Sequence, residues 1–373
     1  MTEMSTTTVA PATPLAALLV STESSSASLE LTTYRGALSP RLLDAPEREI
    51  AALASEAAVH DLGWLRRVAV RGEDRFRWLS GMVTNMVNDL PANTGAWNLV
   101  LNAQGRIQGD LYVWRQGDAL EMELAADQYD KLLAHLDRFI IMDDVELVPL
   151  EQTALGLTGP ASDAVLARLG LPALPEPLTT LQTTWNGFDL RLVRAYGVLA
   201  PHYELWVQAA EIPALWTVLK EAGALPVGTA SLDALRLAEG IPAYGVDMVE
   251  RDLPQETSQM RALHFAKGCY LGQEIVERIR SRGSVHRHLR QLELDGPLPE
   301  AGCELSFQNA AGAEASAGQI TSAVELHLAS GSRRLALGMM RGEAELRIQP
   351  FTYTVGAASG SARILTAPPS LNP

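Results

Sequence analysis

The sequence predicts an α+β protein: two similar modules of strands and helices packed together, followed by a small C-terminal β-barrel. Three observations carry this. The chain has 373 residues, 47 % of them hydrophobic, too many for one small domain and enough to fill several cores. A similar succession of strands and helices runs through residues 34–150 and again through 151–290, and two such modules packed together leave a cleft between them. Beyond about Arg290 the pattern changes to short strands separated by glycine and polar turns, which reads as a barrel over 291–366 with a tail at 367–373.

The elements follow in order. Residues 1–33 are rich in Ser, Thr and Ala and lack Lys and Arg, so they read as a disordered tail. That lack of basic residues disfavours both a secretory signal and a mitochondrial presequence. Residues 47–60 read as a helix, 64–70 as a strand and 74–81 as a second helix after Gly72. Strands are predicted at 97–102, 107–115 and 119–124, with turn signals at Ala103-Gln104-Gly105 and Gln116-Gly117-Asp118. Tyr129, Leu132, Leu133, Leu136, Phe139 and Ile140 recur at helical spacing, and 145–148 closes the module as a strand. In the second module 154–158, 188–196 and 203–207 read as strands and 161–169, 212–222 and 231–239 as helices. The proline-rich run 171–177 reads as an internal loop.

Composition bounds the function. A formal charge of −14 argues against wholesale nucleic-acid binding, because polyanions are held by clustered Lys and Arg. Two cysteines exclude a disulfide framework and suit a reducing cytosol, so a cytoplasmic location is expected. Without a CxxC or Cys/His cluster, a complete metal site within one chain is not expected. No apolar run approaches the roughly 20 residues of a membrane span.

The strongest chemical signal is Lys267-Gly268-Cys269-Tyr270-Leu271-Gly272-Gln273-Glu274. It sets a thiol beside an ammonium and just ahead of a predicted helix start, where unpaired N–H groups favour a thiolate. Cys269 is thereby a candidate nucleophile or soft metal ligand, with Lys267 as its electrostatic partner. Arg278, Arg280, Arg282, Arg287 and Arg290 then place five arginines in 13 residues, a candidate anion patch or a solvated face. Cys303 has no base near it in sequence and reads as structural.

The octapeptide resembles the signature of the YgfZ family of folate-binding proteins, relatives of the glycine cleavage T-protein. The resemblance spans about Glu49 to Leu365 and implies the T-protein fold with tetrahydrofolate or a derivative in the cleft between the modules. It further implies a role in assembly or repair of iron–sulfur proteins, and through one such enzyme in tRNA modification. Iron–sulfur proteins or cluster carriers are then the expected partners, and a transient cluster shared with a partner is a second cofactor it admits. Direct tRNA binding is not expected, since no RNA-binding motif is present. Residue by residue, Val83-Thr84-Asn85 is similar to the first strand-to-helix segment of the T-protein superfamily. Gly109-Asp110 stands where T-proteins carry two adjacent aspartates. His202-Tyr203-Glu204-Leu205-Trp206 resembles the segment whose glutamate binds the pterin. Asp110, Glu204, Asn85 and Tyr203 are therefore the expected folate-binding residues, and Glu239 the expected supporting carboxylate. The missing aspartate at 109 counts against aminomethyl transfer, which needs a positioned acid or base. A folate-dependent aminomethyl or other one-carbon transferase remains the alternative, and a non-catalytic recruitment module a further one.

Overall fold

The computed structural model describes residues 10–22, 29–309, 311–328, 331–346 and 350–371. Eleven strands form one sheet in two halves, which meet where Thr179 pairs with Thr94. Each half is built by the same succession of strand, helix, three-strand meander, helix and short strand. In the first these are Leu65–Arg71, Arg75–Met82, Thr94–Leu101, Ile107–Gln116, Ala119–Ala125, Ala126–Asp137 and Glu146–Leu150. In the second they are Gln152–Thr158, Ser162–Arg168, Thr179–Trp185, Phe188–Ala195, His202–Gln208, Ile212–Glu221 and Leu225–Pro226. The internal repeat expected from sequence is thus present.

Strand alternation gives each half two faces. In the first half Val68, Leu111, Val113 and Met122 pack with Leu79, Leu132 and Leu136 of its helices. In the second, Leu155, Leu192, Tyr203 and Leu205 pack with Val165, Leu215 and Leu219. The opposite faces carry Trp114, Ala154, Val193 and Trp206, which cluster together and join the halves.

Six strands, Arg287–Asp295, Glu304–Gln308, Glu314–Leu328, Gly331–Arg341, Phe351–Val355 and Ala358–Ile364, close a barrel around Leu292, Leu305, Phe351 and Tyr353. Its long strand reaches back through Leu326 to the helices Pro46–Ser55 and Thr229–Glu239. No helix among the described residues is long and apolar enough to cross a membrane.

Several expectations need correction. Residues 10–22 and 29–33 are not a disordered tail: Leu15 and Leu19 of the helix Pro14–Thr22 enter the core of the second half beside Trp216 and Leu219. Leu31–Tyr34 then forms a hairpin with Ala37–Pro40. Residues 1–9 and 23–28 lie outside the described residues. The apolar run was legible, but its partner lies some two hundred residues away. The helix expected over 47–60 ends at Ser55, and Ala58–Asp61 is a strand beside Gln152–Thr158. Sheet pairing overrides local helix preference there, and the division at 150/151 fails because this strand belongs to the second half. Thr179–Trp185 was not foreseen. Its hairpin turns on Asn186 and Gly187, both at positive φ, the two-residue signal that should have disclosed it. The barrel begins at Arg287 rather than 291, and Leu371 of the expected tail is buried against the helix Pro46–Ser55.

Candidate functional site

A cleft of about 230 Å³ opens on the face where the half-sheets meet, with Asp110, Tyr112, Trp114 and Glu123 on one side and His60, His202 and Glu204 on the other. Tyr34, Arg35, Trp64, Arg236 and Pro242 close it. Asp110, Tyr112 and Trp114 alternate along one strand, so all three side chains face the cleft. The Tyr112 ring stacks between Trp97 at 6.5 Å and Trp114 at 6.0 Å. Arg261 spans the Trp97 and Tyr196 rings at 4.1 and 4.0 Å and donates to the Tyr112 hydroxyl at 3.3 Å.

Asp110 is held on both oxygens, Oδ2 accepting from Trp97 Nε1 and Oδ1 from Gln128 Nε2, each at 2.9 Å. Its neighbour Gly109 is closely packed: a Cβ there would lie 2.6 Å from Leu132 Cδ1 and 2.7 Å from Gln128 Oε1, the ends of two side chains. A second carboxylate is missing from the sequence, and a side chain at 109 would have to displace the ends of Leu132 and Gln128, the latter a partner of Asp110.

Glu204 sits in a buried charged cluster. Arg67, itself buried, donates from Nη2 to Glu123 at 2.8 Å, lies 3.9 Å from Glu204 Oε2 and covers the Trp206 ring at 4.1 Å. Trp206 Nε1 donates to Glu204 Oε2 at 2.7 Å. Arg191 pairs with Glu121, which also faces Arg67 at 3.5 Å. Burial, with the Glu123 carboxylate beside it, pushes the Glu204 pKa well above its ordinary 4.5. With that proton in place two arginines balance Glu121 and Glu123. A raised carboxyl pKa stabilises the fold fully below pH 4.5 and loses that stabilisation as pH rises through the folded value. Glu204→Gln, which keeps the shape and the proton, should therefore melt higher than the parent at pH 8 and alike near pH 4; thermal melts at both pH values test this.

The remaining predicted residues are placed differently. Tyr203, though its strand borders the cleft, points to the helix-covered core, and its hydroxyl donates to Asp163 at 2.6 Å. Asn85 is a structural link and not a cleft residue: Nδ2 donates to the carbonyls of Trp97 (3.0 Å) and Arg261 (2.8 Å), and Oδ1 accepts from Met86 N–H. Lys267 is buried, and its Nζ donates to the carbonyls of Ser80 (2.8 Å), Val83 (2.7 Å) and Asn85 (2.6 Å). The ammonium assigned to the thiol is thus a clamp between the signature loop and the end of the helix Arg75–Met82. Burial lowers its pKa to about 7, although three carbonyls call for three N–H donors and so for the charged form.

Gly272 caps the helix Gln273–Arg282 at φ 81°, where a Cβ would lie 2.6 Å from the Asn102 carbonyl oxygen. Tyr270 is buried, its N–H facing Gln273 Oε1 at 3.3 Å, while Gly268, Cys269 and Glu274 are exposed. Cys269 is not among the residues lining the cleft. The signature loop touches the turn Asn102–Gly105, and Asp110 lies five residues further along that strand, about 17 Å. Cleft and thiol are therefore two places on one scaffold.

Arg278, Arg280 and Arg282 are all exposed, Arg280 facing Glu277 at 3.4 Å. Arg287 and Arg290 are neutralised by Asp252, Glu256 and Glu345, which narrows the expected patch to the helix. Among the described residues no group of three His, Cys, Asp or Glu side chains gathers as a metal site.

The model of the GCVT N-terminal domain matches residues 30–267. The chain belongs to that family. An aminomethyltransferase of Rubrobacter xylanophilus is 30 % identical over 251 residues, 66 % of this chain and 67 % of that one. A putative chloroplastic transferase of Arabidopsis thaliana is 24 % identical over 264 residues, 68 % of this chain and 60 % of its own. The fold matches that of the glycine cleavage system aminomethyltransferase T from Bartonella henselae, with a TM-score of 0.84 over 98 % of this chain and 99 % of that one at 19 % identity. The half-sheet cleft is the candidate site, and the residues that sequence reasoning missed in it are His60, Tyr112, Trp114 and His202, with Arg67 buried behind Glu204. Alternation from Asp110 could have found Tyr112 and Trp114.

Proposed function

We propose that this GCVT-family protein binds tetrahydrofolate or a derivative in the cleft and acts in assembly or repair of iron–sulfur proteins, with Cys269 as its working thiol. The observation that carries the reading is the construction of the Lys267 to Glu274 loop, in which a buried lysine and a left-handed glycine fix the backbone while the thiol stays exposed. A rigidly presented thiol outside the cleft suits exchange with a partner, either an iron–sulfur protein or a cluster carrier. The cluster is then cargo, with its other ligands supplied by the partner, and tRNA modification is affected through the client enzyme. The cleft suits a flat ligand with N–H groups: Tyr112 and Trp114 line it, Glu204 brings a carboxyl group and Asp110 a fixed carboxylate. When bound, the folate would supply a one-carbon carrier or an effector.

Aminomethyl transfer is the second reading, favoured by relatives named aminomethyltransferases. The lone Asp110, with glycine and no second carboxylate at 109, opposes it. Rescue of a [4Fe–4S] tRNA-methylthiolating enzyme's product, in cells lacking their own YgfZ-like protein, separates the two. The parent chain should restore the product and Cys269→Ala should restore less than a tenth of it. Full rescue by Cys269→Ala would remove the thiol from the mechanism. Turnover of the parent in a reconstituted glycine-cleavage assay, without rescue, would establish the second reading.

A further inference from the structure

Two arginines line the cleft, and they are placed differently. Arg236 faces two carboxylates: Nε donates to Asp233 Oδ1 at 2.8 Å and Nη1 to Asp247 Oδ2 at 2.5 Å, with the Ile241 carbonyl a further acceptor at 2.8 Å. Arg35 keeps most of its donors. Its Nε lies 3.1 Å from Asp127 Oδ2, but Nη1 and Nη2 have no hydrogen-bond partner among the described residues, and of the three nitrogens only Nε is enclosed. The side chain is 14 % exposed, so solvent reaches that open edge.

Arg35 also sits where local preference is against it. Tyr34 pairs with Ala37, which leaves Arg35 and Gly36 as a two-residue hairpin turn with φ of 49° and 89°. Positive φ at both positions calls for Asn, Asp or Gly in the first, and a long side chain there is strained. The turn is locked to the start of the helix Ala126–Asp137: the Asp127 N–H donates to the Arg35 carbonyl at 3.0 Å, and a Cβ on Gly36 would lie 2.5 Å from Asp127 N. The Trp64 ring backs the guanidinium at 5.9 Å. The pair with Asp127 does not account for an arginine in this turn, because Asp127 is 37 % exposed and a half-open ion pair contributes little. What remains is a fork of four N–H groups, held on the cleft wall without an acceptor.

Charge divides the cleft. Asp110 and Glu204 suit the N–H groups of a ring, and the open edge of Arg35 suits a carboxylate. At about 230 Å³ the cleft is smaller than the roughly 300 Å³ at which sites begin to enclose a whole drug-sized ligand, so the tail of a folate must run out past the residues that close it. We propose that Arg35 receives that tail, Nη1 and Nη2 together donating to one glutamate carboxylate while Nε keeps Asp127. Arg35 and Asp127 leave no net charge between them, so the contribution is directed hydrogen bonding. This rests on the folate reading and adds a specificity-determining residue to it, one that selects the acidic ligand over a pterin without a tail.

The test is calorimetric binding, to the full chain, of 5-formyltetrahydrofolate and of its diamide, in which both glutamate carboxyls are uncharged amides. The parent should bind the acid about tenfold or more tightly than the diamide, the scale of a hydrogen bond to a charged group. Arg35→Asn suits the turn and should lose about that tenfold for the acid while holding the diamide within about threefold. Arg35→Gln should behave alike and covers the case in which the first variant fails to fold. Equal binding of acid and diamide by the parent overturns the inference alone, as does unchanged binding of the acid, or equal loss of both ligands, in the variants. A folded parent that binds neither ligand overturns the folate reading, and the inference with it.

Discussion

Arg67→Met should cost the protein roughly 3–5 kcal/mol of stability, the loss typical when one member of a buried charge cluster is removed. The arginine is 1 % exposed and holds Glu123 through both Nε at 3.2 Å and Nη2 at 2.8 Å. Its removal leaves Glu121 paired with Arg191 but Glu123 with only the Trp114 indole N–H at 3.0 Å, and Glu204 close by. Methionine restores volume but no charge. Urea titration should show a lower midpoint at unchanged slope, and adding Glu123→Gln should recover part of the loss by removing the stranded carboxylate. A loss below about 1 kcal/mol would contradict the buried cluster as described. Because Arg67 and Glu123 belong to one half-sheet and Glu204 to the other, the cluster also fixes how the two walls of the cleft face each other.

The second large effect is expected at Lys267. Lys267→Met leaves the carbonyls of Ser80, Val83 and Asn85 without their donor, at about 1–3 kcal/mol for each that water cannot reach. A loss of about 3 kcal/mol is expected, together with faster amide exchange through 267–272 and the end of the helix Arg75–Met82. Lys267→Arg should not rescue it, since a planar guanidinium cannot converge on three carbonyls as an ammonium does. Unchanged exchange in that loop would mean that something other than the lysine holds the signature in place.

Much of this architecture could be read from the chain. Period-two alternation located most strands, the repeated order gave the two modules, and the shift in pattern after Arg290 gave the barrel. Asp110 and Glu204 were found through a family resemblance, and the structure puts both in one cleft. Tyr203 could have been set aside by the same alternation, because neighbours on a strand face opposite sides and Glu204 already takes the cleft side. What was not legible depends on distant pairing. His60 lies in a stretch of helical character, and only the strand pairing with Gly156 places it beside the cleft. Lys267 next to Cys269 suggested a charge acting on the thiol, yet its three acceptors come from residues 80–85, about 180 positions earlier. Adjacency in sequence gave the right loop and the wrong direction for its side chain.

The placement of Ala58–Asp61 bears on how the protein is made. The first half-sheet from Leu65 to Leu150 is continuous, so it can close soon after its last strand leaves the ribosome. The second half needs Ala58–Asp61 and the helix Pro14–Thr22, both synthesised before the first half; the strand waits for Gln152–Thr158 and the helix for Ile212–Glu221. Both amino-terminal pieces are therefore made before the first half and stay without their partners while it is completed. Nascent chains halted between about Leu150 and Pro226 should be the species most in need of chaperone protection.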